Sequence, residues 1–421
     1  MSSPKRRRVC TRDATVAFDS PPSIPVDLLL EVFARCNDAR TVIRCAATSK
    51  PVRRAILDDD FRRRLALHAA DGGGGGFNPN LLHGVSFVFF ADHAVHASYT
   101  ATSHHVVYQE PRHRLSFDAG LLHSLEPVAS RGGLVVLRHR RGRHGYGESS
   151  PLCVCNSLTG RTLCHIPSSP VSGYPPALLA VGDGGRSFQL LVADDSLQTQ
   201  VFSSEHRTWG AVVNTQLPPG FSRPDADHAS HPLVLGRNAV HWLNAPDKTI
   251  ISLDVGAARA TQVELPPACF GRVRHTQRVE RALQLAASAD GRLSLLVAEC
   301  AAISMWTLSA APEEEHGESS AAASPSPAAR WARQVVVKMQ DIGPEAVAGP
   351  SYSVHFLAFG ERSGAAVIQV DGVGLVQINL GSKDALVLST QFKQQVVEPA
   401  LLQVCLHEAD LDTLLQTMKP F

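Results

Sequence analysis

The sequence predicts an α+β multidomain protein: a small N-terminal three-helix module, then a large all-β domain of propeller type, six blades being the preferred number, and a short C-terminal helix. Three observations carry this. Helical periodicity is confined to residues 21–70 and to the last turns of the chain, an uninterrupted run Gly72 to Gly76 follows the first of these, and from Leu81 onward strand-length apolar runs alternate with turn residues.

The first helix is expected to begin at Pro25, whose missing N–H is harmless in a first turn, with Leu28, Leu29, Val32, Phe33 and Cys36 recurring on one face. Asp38 is a natural N-cap for a second helix that would bury Val42, Ile43, Cys45 and Ala46. Ser49 opens a third, with Pro51 in its first turn and Val52, Ala55, Ile56 and Phe61 as apolar positions. A cluster this small is marginal alone, so an apolar face left over for a partner is expected.

Residues 1–20 read as a disordered basic tail, 21–70 as the helical module, 71–77 as a flexible glycine-rich linker and 78–421 as the β domain. The β runs include Val85 to Phe90, Leu134 to Leu137, Phe188 to Ala193, Ala239 to Leu243, Ile250 to Val255, Leu293 to Ala298, Val354 to Phe359, Ala366 to Val370 and Leu375 to Leu380. They fall into a loose four-strand repeat of roughly 45 to 50 residues, best seen from Leu233 to Pro266, which is the unit a propeller blade requires. Residues 310–330, acidic and then Ser/Ala/Pro-rich, are expected to form a disordered surface loop, and Leu411, Leu414, Leu415 and Met418 a terminal helix packed on the body.

Composition narrows the function. The 40 Lys and Arg against 39 Asp and Glu leave a net charge of +1, and aromatic content is 6%, so neither nucleic acid nor an anionic membrane is the expected partner. The split is uneven: residues 1–70 carry 14 basic and 8 acidic side chains, the remainder 26 and 31. Nine cysteines without regular spacing suit a reducing compartment, and no run approaches the roughly 18 apolar residues of a membrane span, so a soluble protein of nucleus or cytoplasm is expected. Lys5, Arg6, Arg7 and Arg8 form a candidate nuclear import signal, for which solvated charge in a flexible tail is the simpler alternative.

The helical module resembles the F-box. The residues that do so are Ile24-Pro25-Val26-Asp27-Leu28-Leu29-Leu30-Glu31-Val32-Phe33-Ala34-Arg35, then Arg44-Cys45-Ala46-Ala47-Thr48-Ser49-Lys50 and Phe61-Arg62. The sequence departs from the family at Val52, usually Trp, and at Cys36, usually Leu. The downstream body looks like the propeller-type associated domains of the large grass F-box families, with Asn78 to Gly84 resembling their lead-in segment. The resemblance implies the substrate-recognition subunit of a Skp–cullin–F-box ubiquitin ligase. Its helices would bind a Skp-type adaptor and, through it, a cullin, while the β domain holds an unidentified protein substrate. Candidate adaptor-facing residues are Ile24, Pro25, Leu28, Leu29, Val32 and Ile43, some of which must instead close the module's own core.

Chemistry finds little support in the sequence. Cys153, Cys155, Cys164 and His165 are four potential zinc ligands, but strand alternation and the missing Cys-x-x-Cys knuckle favour buried thiols, so no metal is expected. No Gly-x-Ser-x-Gly elbow, His-Glu-x-x-His helix or Walker-type Gly-Lys-Ser/Thr occurs, and no cofactor or catalytic residue is assigned. The alternatives are a stand-alone propeller interaction protein, a nuclear nucleic-acid-binding protein suggested by Lys5 to Arg8 and Arg138 to Arg143, and a propeller enzyme.

Overall fold

The computed structural model describes residues 24–35, 39–58, 60–61, 77, 81–91, 100–107, 117–139, 151–158, 160–182, 187–221, 231–273, 279–309, 330–343, 353–390 and 402–408. The expected basic tail, glycine linker, 310–330 loop, C-terminal helix and Cys36 lie outside these residues or almost wholly so.

Three short helices open the chain: α1 (Val26–Arg35), α2 (Ala39–Ala46) and α3 (Lys50–Ile56). Ser49 caps α3, its hydroxyl accepting the Val52 N–H at 3.3 Å, and Pro51 sits in the first turn where no donor is needed. Leu30, Phe33, Val42, Ala46, Val52, Ile56 and Phe61 close a core, joined by Leu81 and Leu158 from the β domain. The module is therefore seated on the β domain as well as tethered to it. No helix among the described residues is long and apolar enough to cross a membrane.

The β domain is a ring of antiparallel sheets. It begins with β1 (Leu82–Ala91) and β2 (Thr100–Val107), followed by the first blade, β3 (Leu125–Arg131), β4 (Leu134–His139), β5 (Leu152–Asn156) and β6 (Thr162–Ile166). The second holds β7 (Ala177–Gly182), β8 (Ser187–Ala193), β9 (Gln198–Ser203) and an outer position shared by β10 (Thr208–Trp209) and β11 (Val213–Asn214). The third is β12 (Leu233–Leu235), β13 (Ala239–Asn244), β14 (Thr249–Asp254) and β15 (Arg259–Glu264), and the fourth β16 (Leu283–Ala287), β17 (Leu293–Ala298), β18 (Ala302–Leu308) and β19 (Trp331–Lys338). The fifth is β20 (Val354–Phe359), β21 (Ala365–Val370), β22 (Gly374–Asn379) and β23 (Ala385–Ser389), and β24 (Leu402–Glu408) ends the described chain.

Six equivalent blades were expected, and the structure corrects this: five are complete, while the ring closes through a three-stranded sheet ordered β2-β1-β24, built from both ends of the domain. Val85 pairs with Leu406 and Phe87 with Val404, and the inner strand β24 lies between β20 and β3. Side-chain alternation then serves two seams. Leu402, Val404 and Leu406 pack with Val367 and Leu375 of the fifth blade, and Cys405 packs with Val135, Leu137 and Cys153 of the first. Similar apolar clusters fill the other seams, so each blade buries its faces only against its neighbours.

The β20–β21 turn secures the closure. Gly364 has φ +65°, a conformation that disfavours any side chain, and a Cβ there would lie 2.2 Å from the Phe77 ring. Ser363 donates its N–H and hydroxyl to Glu408 at the end of β24. Gly364→Ala should therefore displace Phe77 and cost about 2 kcal/mol or more, combining left-handed strain with overlap. Urea denaturation against wild type measures this, and an unchanged midpoint would show that Phe77 yields freely.

Candidate interaction surface and central channel

The six adaptor candidates divide. Ile24, Leu28 and Val32 are 61%, 59% and 54% exposed. Leu28 and Val32, four residues apart, lie one above the other on one side of α1, and Ile24 and Pro25 are exposed in the segment just before its first turn. Leu29 instead packs against the module core, and the Ile43 side chain lies outside the described residues. The expected single apolar face of α1 is thus corrected: Leu28 and Val32 point away from Phe33, and Leu30, which the sequence reading passed over, is the buried partner. Val52 is buried, so the position where Trp was missed is a core position of α3.

The potential zinc ligands also divide. Cys153 and Cys155 face the seam with β24, whereas Cys164 packs toward the second blade. Their mutual hydrogen bond pushes the Cys153 thiol up and draws Cys155 down to about 7. Among the described residues no group of three or more His, Cys, Asp or Glu side chains is arranged to hold a metal ion. Glu299 is buried and paired with Arg333, whose Nε and Nη2 reach its two oxygens at 2.8 and 2.5 Å, which accounts for it as a structural charge inside the fourth blade.

Sequence reasoning missed the channel. Inner strands of all the sheets surround a cavity of about 70 Å³, with Arg131, His231, Gln284 and Glu361 among its lining residues. Arg131 spans the mouth: Nη1 donates to the carbonyls of Leu178 and Leu179 at 3.2 and 2.6 Å, Nη2 to Gly236 at 2.8 Å, and Nε lies 3.1 Å from Glu361 Oε2. One guanidinium therefore ties the first blade to the second, the third and the β20–β21 turn. Burial raises the Glu361 carboxyl to about 7, against the pull of Arg131 and with a further push from Glu408; the Val234 N–H and Arg362 act to lower it. His231 keeps solvent access, yet the atoms crowded around it lower its pKa, and its Nδ1 lies 3.2 Å from the Val128 carbonyl. The only sequence signals for this cluster were the glycines that flank it, Gly132-Gly133 after Arg131 and Gly360 and Gly364 around Glu361.

Residues 84–421 match the family described as Domain of unknown function (DUF7595). No curated protein is similar enough to the chain to match it. Among solved structures the chain is similar to a protein from Lactobacillus plantarum, with 10% identity, 73% of this chain and 82% of that one covered, and a TM-score of 0.34. It is similar also to virginiamycin B lyase from Staphylococcus aureus, at 12% identity, 66% and 72% coverage and a TM-score of 0.33. For YCF48 from Cyanidioschyzon merolae the values are 10%, 61% and 70%, and 0.33.

The raised Glu361 carboxyl has a signed consequence. Its folded pKa near 7 exceeds the unfolded value of about 4.3, so the native state holds the extra proton across that window and its stabilising contribution is lost as pH rises through 7. Glu361→Gln does not titrate. Its melting temperature should therefore improve relative to wild type as pH is raised from 5 to 8, with the contribution of His231 cancelling in the comparison. A difference that stays flat across this range would contradict the assignment.

Proposed function

The chain belongs to the DUF7595 family, whose matched region is the β ring; from the resemblance of its helices to the F-box we propose that it is a protein-interaction subunit of the Skp–cullin–F-box type, binding an adaptor through α1 and a protein substrate through the ring. The observation that carries this reading is the pair Leu28 and Val32, exposed on a helix whose other side already closes a core, with exposed Ile24 just ahead of that helix. Two large apolar side chains in line on one exposed helical face, with a third leading into the helix, suit helix-in-groove recognition. The residues resembling the F-box contain all three, and Pro25 opens the helix.

The adaptor is of Skp type and connects to a cullin; the chain itself performs no chemistry and needs no cofactor or metal on this reading. The Lys5 to Arg8 run would serve entry into the nucleus, where or in the cytoplasm the ligase acts. Seating of the helical module through Leu81 and Leu158 would hold adaptor and substrate in a fixed relation.

Interface energy concentrates in a few anchors, each often worth about 2 kcal/mol. Leu28→Ala with Val32→Ala should weaken binding to a purified Skp-type adaptor by more than roughly a hundredfold while leaving the melting temperature almost unchanged, since both side chains face outward. Leu30→Ala, by contrast, should cost about 2 to 5 kcal/mol of stability. Calorimetric titration with parallel thermal melts separates the two. Wild-type protein that binds no adaptor at micromolar concentration would leave a stand-alone interaction protein as the better account.

A further inference from the structure

The channel cavity has an unbalanced inventory of hydrogen-bonding groups. Arg131 spends its guanidinium on three carbonyls and on Glu361, so it offers the cavity little as a donor. What remains is acceptors. Gln284 is only 8% exposed and gives its amide N–H to the Leu285 carbonyl at 3.0 Å, while its Oε1 has no partner among the described residues. A carbonyl can only accept, so His231 Nδ1 carries the hydrogen directed at Val128, and Nε2 of the neutral ring is left as a lone pair. Glu361 adds a carboxylate whose Oε1 meets only the Val234 N–H, at a long 3.5 Å.

We propose that this cavity binds a primary ammonium group on an alkyl arm, with Glu361, Gln284 Oε1 and His231 Nε2 as its acceptors. An ammonium brings three donors and no acceptor on a compact centre, the complement of what the lining lacks. Its size fits: the cavity of about 70 Å³ holds several water-sized groups, enough for a head group and the methylenes behind it. An anion would meet a carboxylate and a guanidinium already engaged by three carbonyls and Glu361. A divalent cation would find one anionic ligand and the Arg131 charge beside it. The carboxyl of Glu361 titrates high despite Arg131 because it is short of solvating partners, and the charges facing it are Arg131, Arg362 and Glu408. An incoming ammonium supplies such a partner, favours the ionised carboxylate and releases its proton. Binding should therefore strengthen as pH rises through 7.

The test is calorimetric titration of the full chain with Nα-acetyl-lysine amide, against its Nε-acetylated neutral analogue. The charged compound should bind at least tenfold more tightly, and the Glu361→Gln variant should lose that preference. Gln284→Leu should weaken the amine severalfold, and it carries the test should Glu361→Gln not fold. Butylamine and a short lysine-containing peptide divide the sources: equal binding assigns the site to free amines, tighter peptide binding to a lysine side chain of a partner, and both support an ammonium site. Equal binding of the neutral analogue, undiminished binding by a folded Glu361→Gln or Gln284→Leu variant, displacement of the amine by magnesium or zinc, or no binding at millimolar amine would each overturn the proposal.

Discussion

The antiparallel pairing of β24 with β1 is the contact on which the rest of the structure depends. A blade cannot bury both its faces alone, and a ring of blades needs every seam filled. Here the last described strand is the inner strand of the sheet that the first strands of the domain begin. Its alternating side chains complete the seams to the first and fifth blades at once. Long-range pairing of this kind is slow to form, since the loop-closure entropy comes before the contacts that compensate for it, but once made it removes two open sheet edges.

Closure also creates the polar features. Arg131 and Glu361 belong to opposite ends of the domain sequence and meet only because the ring shuts, and Ser363 holds Glu408 through the same turn. Phe77, the residue directly after the glycine run, lies against Gly364 in that turn and edge-on to Phe359, with ring centroids 6.5 Å apart. The tether from the helical module thus reaches the β ring next to the channel mouth. Packing of Leu81 and Leu158 beneath the helices fixes the module in a second place.

Much of the β architecture was legible in the sequence, because runs such as Leu293 to Ala298 and Val354 to Phe359 combine branched apolar residues with Gly- and Asp-containing turns; the structure places strands at those same positions. The composite closing sheet was not legible. Nothing local marks Leu402–Glu408 as the partner of a strand more than three hundred residues earlier, so the repeat was read as equivalent blades. Helix α1 failed differently: Leu28, Leu29, Leu30, Val32 and Phe33 are apolar almost all round, and periodicity cannot say which side a small core uses. The channel cluster lay beyond sequence reasoning because Arg131, His231, Gln284 and Glu361 share no motif, only positions near the inner strands of different blades.

One measurement addresses the closed ring most directly: urea unfolding of a chain truncated before Leu402, followed in parallel by tryptophan fluorescence and by circular dichroism. Trp209, Trp242, Trp306 and Trp331 report on the second to fourth blades, far in sequence from the deleted strand. If closure by β24 holds the ring together, the truncated chain should lose its single sharp transition, with the tryptophans responding to a strand none of their blades contains. A transition as steep as that of the intact chain, at the same midpoint by both probes, would contradict the account.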